Sequence, residues 1–277
     1  MRAAALLLLL AACTPDFAAP SDVVDLRVLA VQATPPEARF DPDSGIAEPV
    51  AVRVLAVDPS RDAGPPQTLQ LEICGPTDSR RCDTGPVIDA GTLPLSFTLP
   101  PIQAPSLVAN DKLGGFDGIR VQLSFSLDDG SGPVHGDKVV IYSPTTAPCP
   151  ANRNPEMTGV QLTIAGADAG VLAPDSALAR ETEYGLRPVL SPGAEEDYCT
   201  VDLRGNLVHL REQAHYAFFT RPGGEFDRDT ADEPLDGGAP PDGLSRFTPH
   251  ADAGTVWIVV RDGRGGESWL TIPWTAK

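Results

Sequence analysis

The chain is short of lysine, histidine, methionine and aromatic residues, and each shortage narrows what it can do. Lys112, Lys138 and Lys277 are its only lysines; with eighteen arginines they face 38 acidic residues, for a net charge of −17. Nucleic-acid binding through phosphates needs clustered Lys and Arg, so that class is excluded, and anionic membrane surfaces would repel the chain. There are four histidines, His135, His209, His215 and His250. None has a Ser or Cys nucleophile motif beside it, so they read as ordinary hydrogen-bonded or exposed side chains. Gly-x-Ser-x-Gly, His-Glu-x-x-His and the P-loop are all missing, which removes the common hydrolase, metalloprotease and nucleotide-binding signatures. No amphipathic helix of useful length is visible; Leu178 to Leu186 is the one stretch that reads as a short helix.

Proline and glycine are plentiful, at 29 and 26 residues. They separate segments of clean apolar–polar alternation, the pattern of half-buried antiparallel strands with tight turns. Such segments are Val23–Val31, Leu69–Cys74, Leu93–Leu99, Ile119–Leu127 and Lys138–Tyr142, then Gly159–Ala165, Asn206–Leu210 and Ala214–Thr220. Tyr184–Leu190 and Cys199–Leu203 are further candidates. Val50–Val57 is apolar at nearly every position, as in a central strand. Asp128–Pro133 reads as a hairpin turn. Gly223–Gly243 reads as a long acidic loop. Strands at this spacing predict an all-β chain built as two tandem antiparallel β-sandwiches of Ig-like type, over residues 23–144 and 156–277. Residues 145–155, with Pro148, Pro150 and Pro155, form a semi-rigid linker between them.

The N-terminus, Met1-Arg2 followed by alanines, five leucines and Ala11-Ala12-Cys13, has the short basic region and apolar core of a signal peptide. It is too short to span a membrane, which takes roughly 20 apolar residues. Leu10-Ala11-Ala12-Cys13 resembles the lipobox of bacterial lipoproteins. That resemblance implies cleavage after residue 12 and acylation of Cys13, with residues 13–22 as the lipidated cysteine and its tether. Acyl chains anchor because each buried CH₂ contributes about 0.8 kcal/mol. Thr14, rather than Asp, follows the cysteine; by the same resemblance the expected address is the cell envelope, at the outer membrane.

Cys74, Cys82, Cys149 and Cys199 remain. An even count in an exported chain favours disulfides. Cys74 and Cys82 bracket a turn-rich hydrophilic segment and are expected to pair, leaving Cys149 with Cys199. The spacings match neither the Cys-x₂-Cys pairs of zinc sites nor a redox Cys-x-x-Cys.

Near the C-terminus, Gly254-Thr255-Val256-Trp257 leads into an alternating strand and Asp262-Gly263-Arg264-Gly265-Gly266 into the last one. These elements are similar to PKD-type Ig-like domains of bacterial surface proteins. The family's Gly-Asp-Gly element is not matched, since Arg221-Pro222-Gly223-Gly224 stands in its place. The resemblance implies a fold and no activity.

Among candidate sites, Asp227, Asp229 and Asp232 with Glu233 have an Asp-x-Asp-x-x-Asp spacing that calcium could use, without the glycine and distal glutamate of an EF-hand. Carboxylate groups at Asp128-Asp129 and Glu195-Glu196-Asp197 are what so acidic a chain produces by chance, although a glycosidase would need such a pair. Trp257, Trp269 and Trp274 are expected in the core, where an aromatic buries about 150–250 Å²; an exposed row would point to carbohydrate. The reading is a non-enzymatic envelope lipoprotein with a structural or partner-binding role, no cofactor, and a membrane contact through its lipid. Its partner would be an envelope protein or a glycan. The alternatives are a carbohydrate-binding or calcium-dependent adhesion module, and a hydrolase with an unrecognised carboxylate site.

Overall fold

A computed structural model describes residues 18–76, 82, 87–112, 114–202, 204–233 and 243–277. Cys13, the expected signal peptide of residues 1–12 and the first part of the expected tether lie outside the described residues.

The chain is all-β, as its alternation predicts, and forms two Ig-like sandwiches. In the first, a five-stranded sheet runs in the order β2 (Glu37–Phe40), β8 (Pro133–Pro144), β7 (Ile119–Asp128), β4 (Thr68–Cys74) and β5 (Val87–Pro94). Facing it are β1 (Arg27–Thr34), β3 (Ala51–Val57) and β6 (Ser96–Thr98), in that order. The second sandwich has one sheet of β11 (Ser176–Leu178), β20 (Glu267–Ala276), β19 (Ala253–Arg261), β15 (His215–Thr220) and β17 (Thr230–Asp232). Its other sheet is β10 (Ala167–Val171), β9 (Met157–Ile164), β12 (Tyr184–Leu190), β18 (Ser245–Pro249) and β16 (Gly224–Phe226). A separate hairpin pairs β13 (Asp197–Val201) with β14 (Leu207–Arg211). Pairing is antiparallel except for β2 with β8 and β11 with β20.

Alternate residues of each strand fill a core. Leu69, Leu71 and Ile73 of β4 meet Val121, Leu123 and Phe125 of β7 in the first sandwich. The second is held by a chain of rings, Tyr216, Phe218, Phe226, Phe247 and Trp274, with successive centroids 6.4, 5.5, 5.0 and 5.6 Å apart. Fully burying one such side chain stabilises by roughly 1.5–3 kcal/mol.

Strands β1, β15 and β19 bury both faces, and β3 does so at its C-terminal end, through Leu55 and Val57. Val52, Val54 and Ala56 enter the first core, and Val256, Ile258 and Val260 the second. The opposite faces, with Leu29, Ala30, Val57, Ala217, Trp257 and Val259, form a third cluster between the sandwiches. The three-stranded sheet is therefore packed against the sheet containing β19. This seam is why Val50–Val57 carries apolar side chains on both parities: the strand is central in its sheet and covered on either side at its C-terminal end.

Several expectations are corrected. Leu178–Leu186 is no helix: β11 ends at Leu178 and β12 begins at Tyr184, each paired into a sheet. Leu93–Leu99 is not one strand, because β5 pairs with β4 whereas β6 pairs with β3 in the facing sheet. The acidic stretch from Gly223 contains β16 and β17, whose Phe226 and Ala231 are buried in the core; residues 234–242 lie outside the described residues. The last residues of the segment 13–22 are bonded to the second sandwich. Ser21 and Asp22 are docked on Thr220, whose N–H donates to Ser21 O at 2.9 Å while Val23 N–H donates to Thr220 O at 2.8 Å.

Trp274 and Trp257 are 1% and 8% exposed, and Trp269 packs beside the seam under Arg53 at 4.9 Å. No exposed row of tryptophans exists. The cysteines pair as expected, Cys74 with Cys82 and Cys149 with Cys199.

Candidate binding site

The β19–β20 hairpin turns on Asp262-Gly263-Arg264-Gly265-Gly266, and this turn organises one end of the seam. Asp262 Oδ1 accepts from Arg264 N–H at 2.7 Å and Gly266 N–H at 2.9 Å. Its Oδ2 accepts from Asn152 Nδ2 of the linker at 2.9 Å. Gly266 must be glycine, since a Cβ there would stand 2.1 Å from Asp262 Oδ2 and 2.8 Å from Arg153 O. Burial holds the Asp262 carboxyl above its ordinary range, against the lowering effect of those three hydrogen bonds.

The turn aims Arg264 back across the seam. Its guanidinium donates to Glu212 at 2.8 Å, lies 3.4 Å from Glu37 and 3.9 Å from Glu196, and caps the Tyr198 ring at 4.2 Å. Glu212, with 1% of its side chain exposed, also titrates above its usual range; burial is the main cause, partly offset by the Glu196 amide and Arg264. Glu37 comes from β2 of the first sandwich. It accepts from the Ser143 hydroxyl and from Asn152 N–H at 3.0 Å.

A second charged tie lies nearby. Lys138 of β8 donates to Glu267 of β20 at 2.7 Å, and Glu267 also accepts from Val31 N–H at 3.1 Å. The linker is stitched to both bodies: Asn154 donates to Ala33 O at 2.7 Å and accepts from Glu267 N–H at 2.9 Å. The sequence reading did not single out these charges. The signals were there, in a glutamate opening an apolar strand and a turn dense in glycine, but the partners are remote in sequence.

Beside this network opens a cleft of about 570 Å³. One wall is the Gly115–Gly118 segment and β8, and the other is β13 with Tyr198 and Thr200. The linker and the Cys149–Cys199 disulfide close the back. Thr200 Oγ1 donates to Asp117 Oδ1 at 3.1 Å across the rim.

The residues singled out for calcium are not brought together. Asp227 accepts from Arg246 N–H and the Ser245 hydroxyl, whereas the Asp229 carbonyl accepts from Phe218 N–H. Asp232 faces His215 at 2.6 Å, and Glu233 accepts from the Tyr216 hydroxyl at 2.7 Å. Among the described residues no group of three or more His, Cys, Asp or Glu could hold a metal ion. His209 sits on the β13–β14 hairpin, away from His215 on β15. His250 is held above its ordinary pKa chiefly by its hydrogen bond to Glu181, with Glu225 adding to it. Asp128 and Asp129 cap the turn between β7 and β8 through Gly130 and Ser131 amides. Glu195 accepts from Ala214 N–H.

These features define an all-β chain of two Ig-like sandwiches joined along a buried seam. No family model matches the sequence, and no curated protein matches it. Among solved structures, it is similar to a chimeric titin Z1Z2 tandem, at 8% identity over 91% of this chain and 99% of that one, with a TM-score of 0.26. The N-terminal Ig1-2 module of the Drosophila receptor protein tyrosine phosphatase DLAR matches at 10% identity over 91% and 99%, with a TM-score of 0.25. A β-glucuronidase from Parabacteroides merdae matches at 8% identity and a TM-score of 0.22; 89% of this chain is covered, but only 25% of the enzyme.

Proposed function

We propose that the chain is a lipid-anchored protein of the cell envelope that presents a stiff two-sandwich body to a partner and performs no catalysis. The observation that carries the binding role is the seam. The Arg264–Glu37 pair across the seam and the Cys149–Cys199 disulfide tie together the walls of a cleft, and a fixed surface loses little freedom on binding. In support of a non-catalytic role, the conspicuous carboxylates are used as turn caps and seam partners. The anchor rests on the lipobox-like residues Leu10–Cys13.

Strand register relates anchor to cleft. Thr220, which holds Ser21–Val23, pairs with Val256 at one end of β19; His215 pairs with Arg261, next to the Asp262–Gly266 turn, at the other. On this reading the lipid lies at one end of the seam and the cleft opens at the other, away from the membrane.

Cys13→Ser tests the anchor. The variant is expected to lose metabolic lipid labelling, to keep its signal peptide under the lipoprotein-specific peptidase, and to leave the membrane fraction once released. Normal membrane fractionation of the Cys13→Ser protein would refute the lipoprotein reading.

A further inference from the structure

We propose that the cleft at the end of the seam binds an amine carried on an apolar body, with Asp117 receiving the positive charge. This rests on the reading of the chain as a binding module and adds the chemistry of its ligand. The cleft volume of about 570 Å³ lies within the roughly 300–1,000 Å³ of small-ligand sites. Its walls are fixed by Pro144, Pro148 and Pro150, by the Cys149–Cys199 disulfide and by Tyr198, whose ring is clamped by Arg264. These give an apolar, rigid container for an aliphatic or aromatic body.

Charge selects the rest of the ligand. Three charged side chains line the cleft: Glu37, Asp117 and Arg264. Glu37 is occupied by Ser143, Asn152, Arg39 and Arg264. Arg264 is occupied by Glu37, Glu196 and Glu212. Asp117 has one hydrogen bond, from Thr200 at 3.1 Å, and a carboxylate offers about four acceptor sites. Arg39 donates to the Pro144 and Cys149 carbonyls and Arg120 to the Phe116 and Gly118 carbonyls, so both guanidiniums are held by backbone oxygens, and Asp117 is the lining carboxylate left with open acceptors, in a chain whose net charge is −17. A cation is drawn in and an anion is repelled.

Asp117 is also fixed in place. Its φ of 56° is in the left-handed region, between Gly115 at 77° and Gly118 at 94°. A Cβ on Gly118 would stand 2.4 Å from Ile141 Cγ2, so the segment lies tight on β8. The backbone under Asp117 is held tightly, and its exposed carboxylate is oriented by the Thr200 hydrogen bond.

The amine could be a free small molecule or the lysine side chain of a partner protein. Titration calorimetry on the full-length lipoprotein in detergent separates these sources, using phenethylamine, its neutral counterpart 2-phenylethanol, and an acetylated, amidated Phe-Lys-Phe peptide. Phenethylamine is expected to bind saturably, and the alcohol about tenfold more weakly for want of the ion pair. Asp117→Asn should lower the amine's affinity to that of the alcohol. Asn tolerates the left-handed backbone and can still accept from Thr200, so the fold is kept. Thr146→Trp, which fills the mouth of the cleft, should abolish binding of both. Tighter binding of the peptide than of phenethylamine assigns the site to a partner's side chain, and the reverse to a free amine. Equal affinity for amine and alcohol, no binding of any probe, or an unchanged affinity in a folded Asp117→Asn protein overturns the proposal. None of these results depends on lipid at Cys13, so failure of the anchor and failure of this site are separable.

Discussion

Lys138 and Glu267 offer the sharpest test of the seam. Their side chains are 9% and 6% exposed, they meet at 2.7 Å, and they belong to different sandwiches. Removing one partner of a buried pair strands the other charge and costs about 3–5 kcal/mol. Here each partner keeps a fallback. Lys138 also donates to Gly265 O at 2.7 Å, and Glu267 lies 3.3 Å from the partly exposed Arg261. The expected cost of Lys138→Met, or of Glu267→Gln, is therefore about 2–3 kcal/mol each. The double variant should cost less than the sum, with a coupling of about 1–2 kcal/mol. Urea unfolding followed by tryptophan fluorescence is a suitable assay, because Trp257 and Trp269 flank the seam and Trp274 reports on the second core. If each single variant costs under about 0.5 kcal/mol, as an exposed pair would, or if the two costs simply add, the charged tie across the seam is wrong.

Gly254→Ala is expected to destabilise the second sandwich by about 1–3 kcal/mol, because its Cβ would fall 2.6 Å from Trp274 Cζ2; a melting temperature equal to wild type would show that the ring has room to move. Asp262 has a folded pKa raised by burial above 3.8, so the folded state holds its proton more firmly than the unfolded chain. Its contribution to stability is full below pH 3.8 and is lost as pH rises through the folded value; Asp262→Asn should flatten that slope in urea titrations across acidic pH, and an unchanged slope would remove Asp262 as its source. Melting curves with excess calcium and with chelator should coincide, since Asp227, Asp229 and Asp232 face different partners; binding at a hundredfold excess over Kd would add about 2.7 kcal/mol, and a rise abolished by Asp227→Ala would refute this.

Most strands were legible because one-sided burial writes a period of two into the sequence. Ile119–Leu127 falls within β7, and Gly159–Ala165 overlaps β9 up to Ile164, Ala165 belonging to the turn that follows. The cystines were legible because few cysteines and short, turn-rich spacing left few choices. Local pattern failed where tertiary pairing decided. The spacing in Leu178–Leu186 suits a helix, yet Leu178 is held by a parallel bridge to Ala276 and Leu186 by β9 and β18. Acidic composition concealed β16 and β17, whose few core residues, Phe226 and Ala231, sit among polar neighbours. The seam was half visible: two-sided apolarity in Val50–Val57 announced burial on both faces, but nothing local said that a second sandwich supplied one of them. The cleft was invisible, because its lining comes from β2, β8, the linker, β13 and the last hairpin.

The docking of Ser21–Val23 on Thr220 imposes an order in time. A chain is synthesised from its N-terminus, so these residues appear early and the strand that receives them appears late. Until β15 is laid beside β19, Val23, Leu29, Ala30 and Val57 have no opposite surface. The first sandwich must therefore wait with an apolar flank open to water. Only the arrival of the last third of the chain closes it.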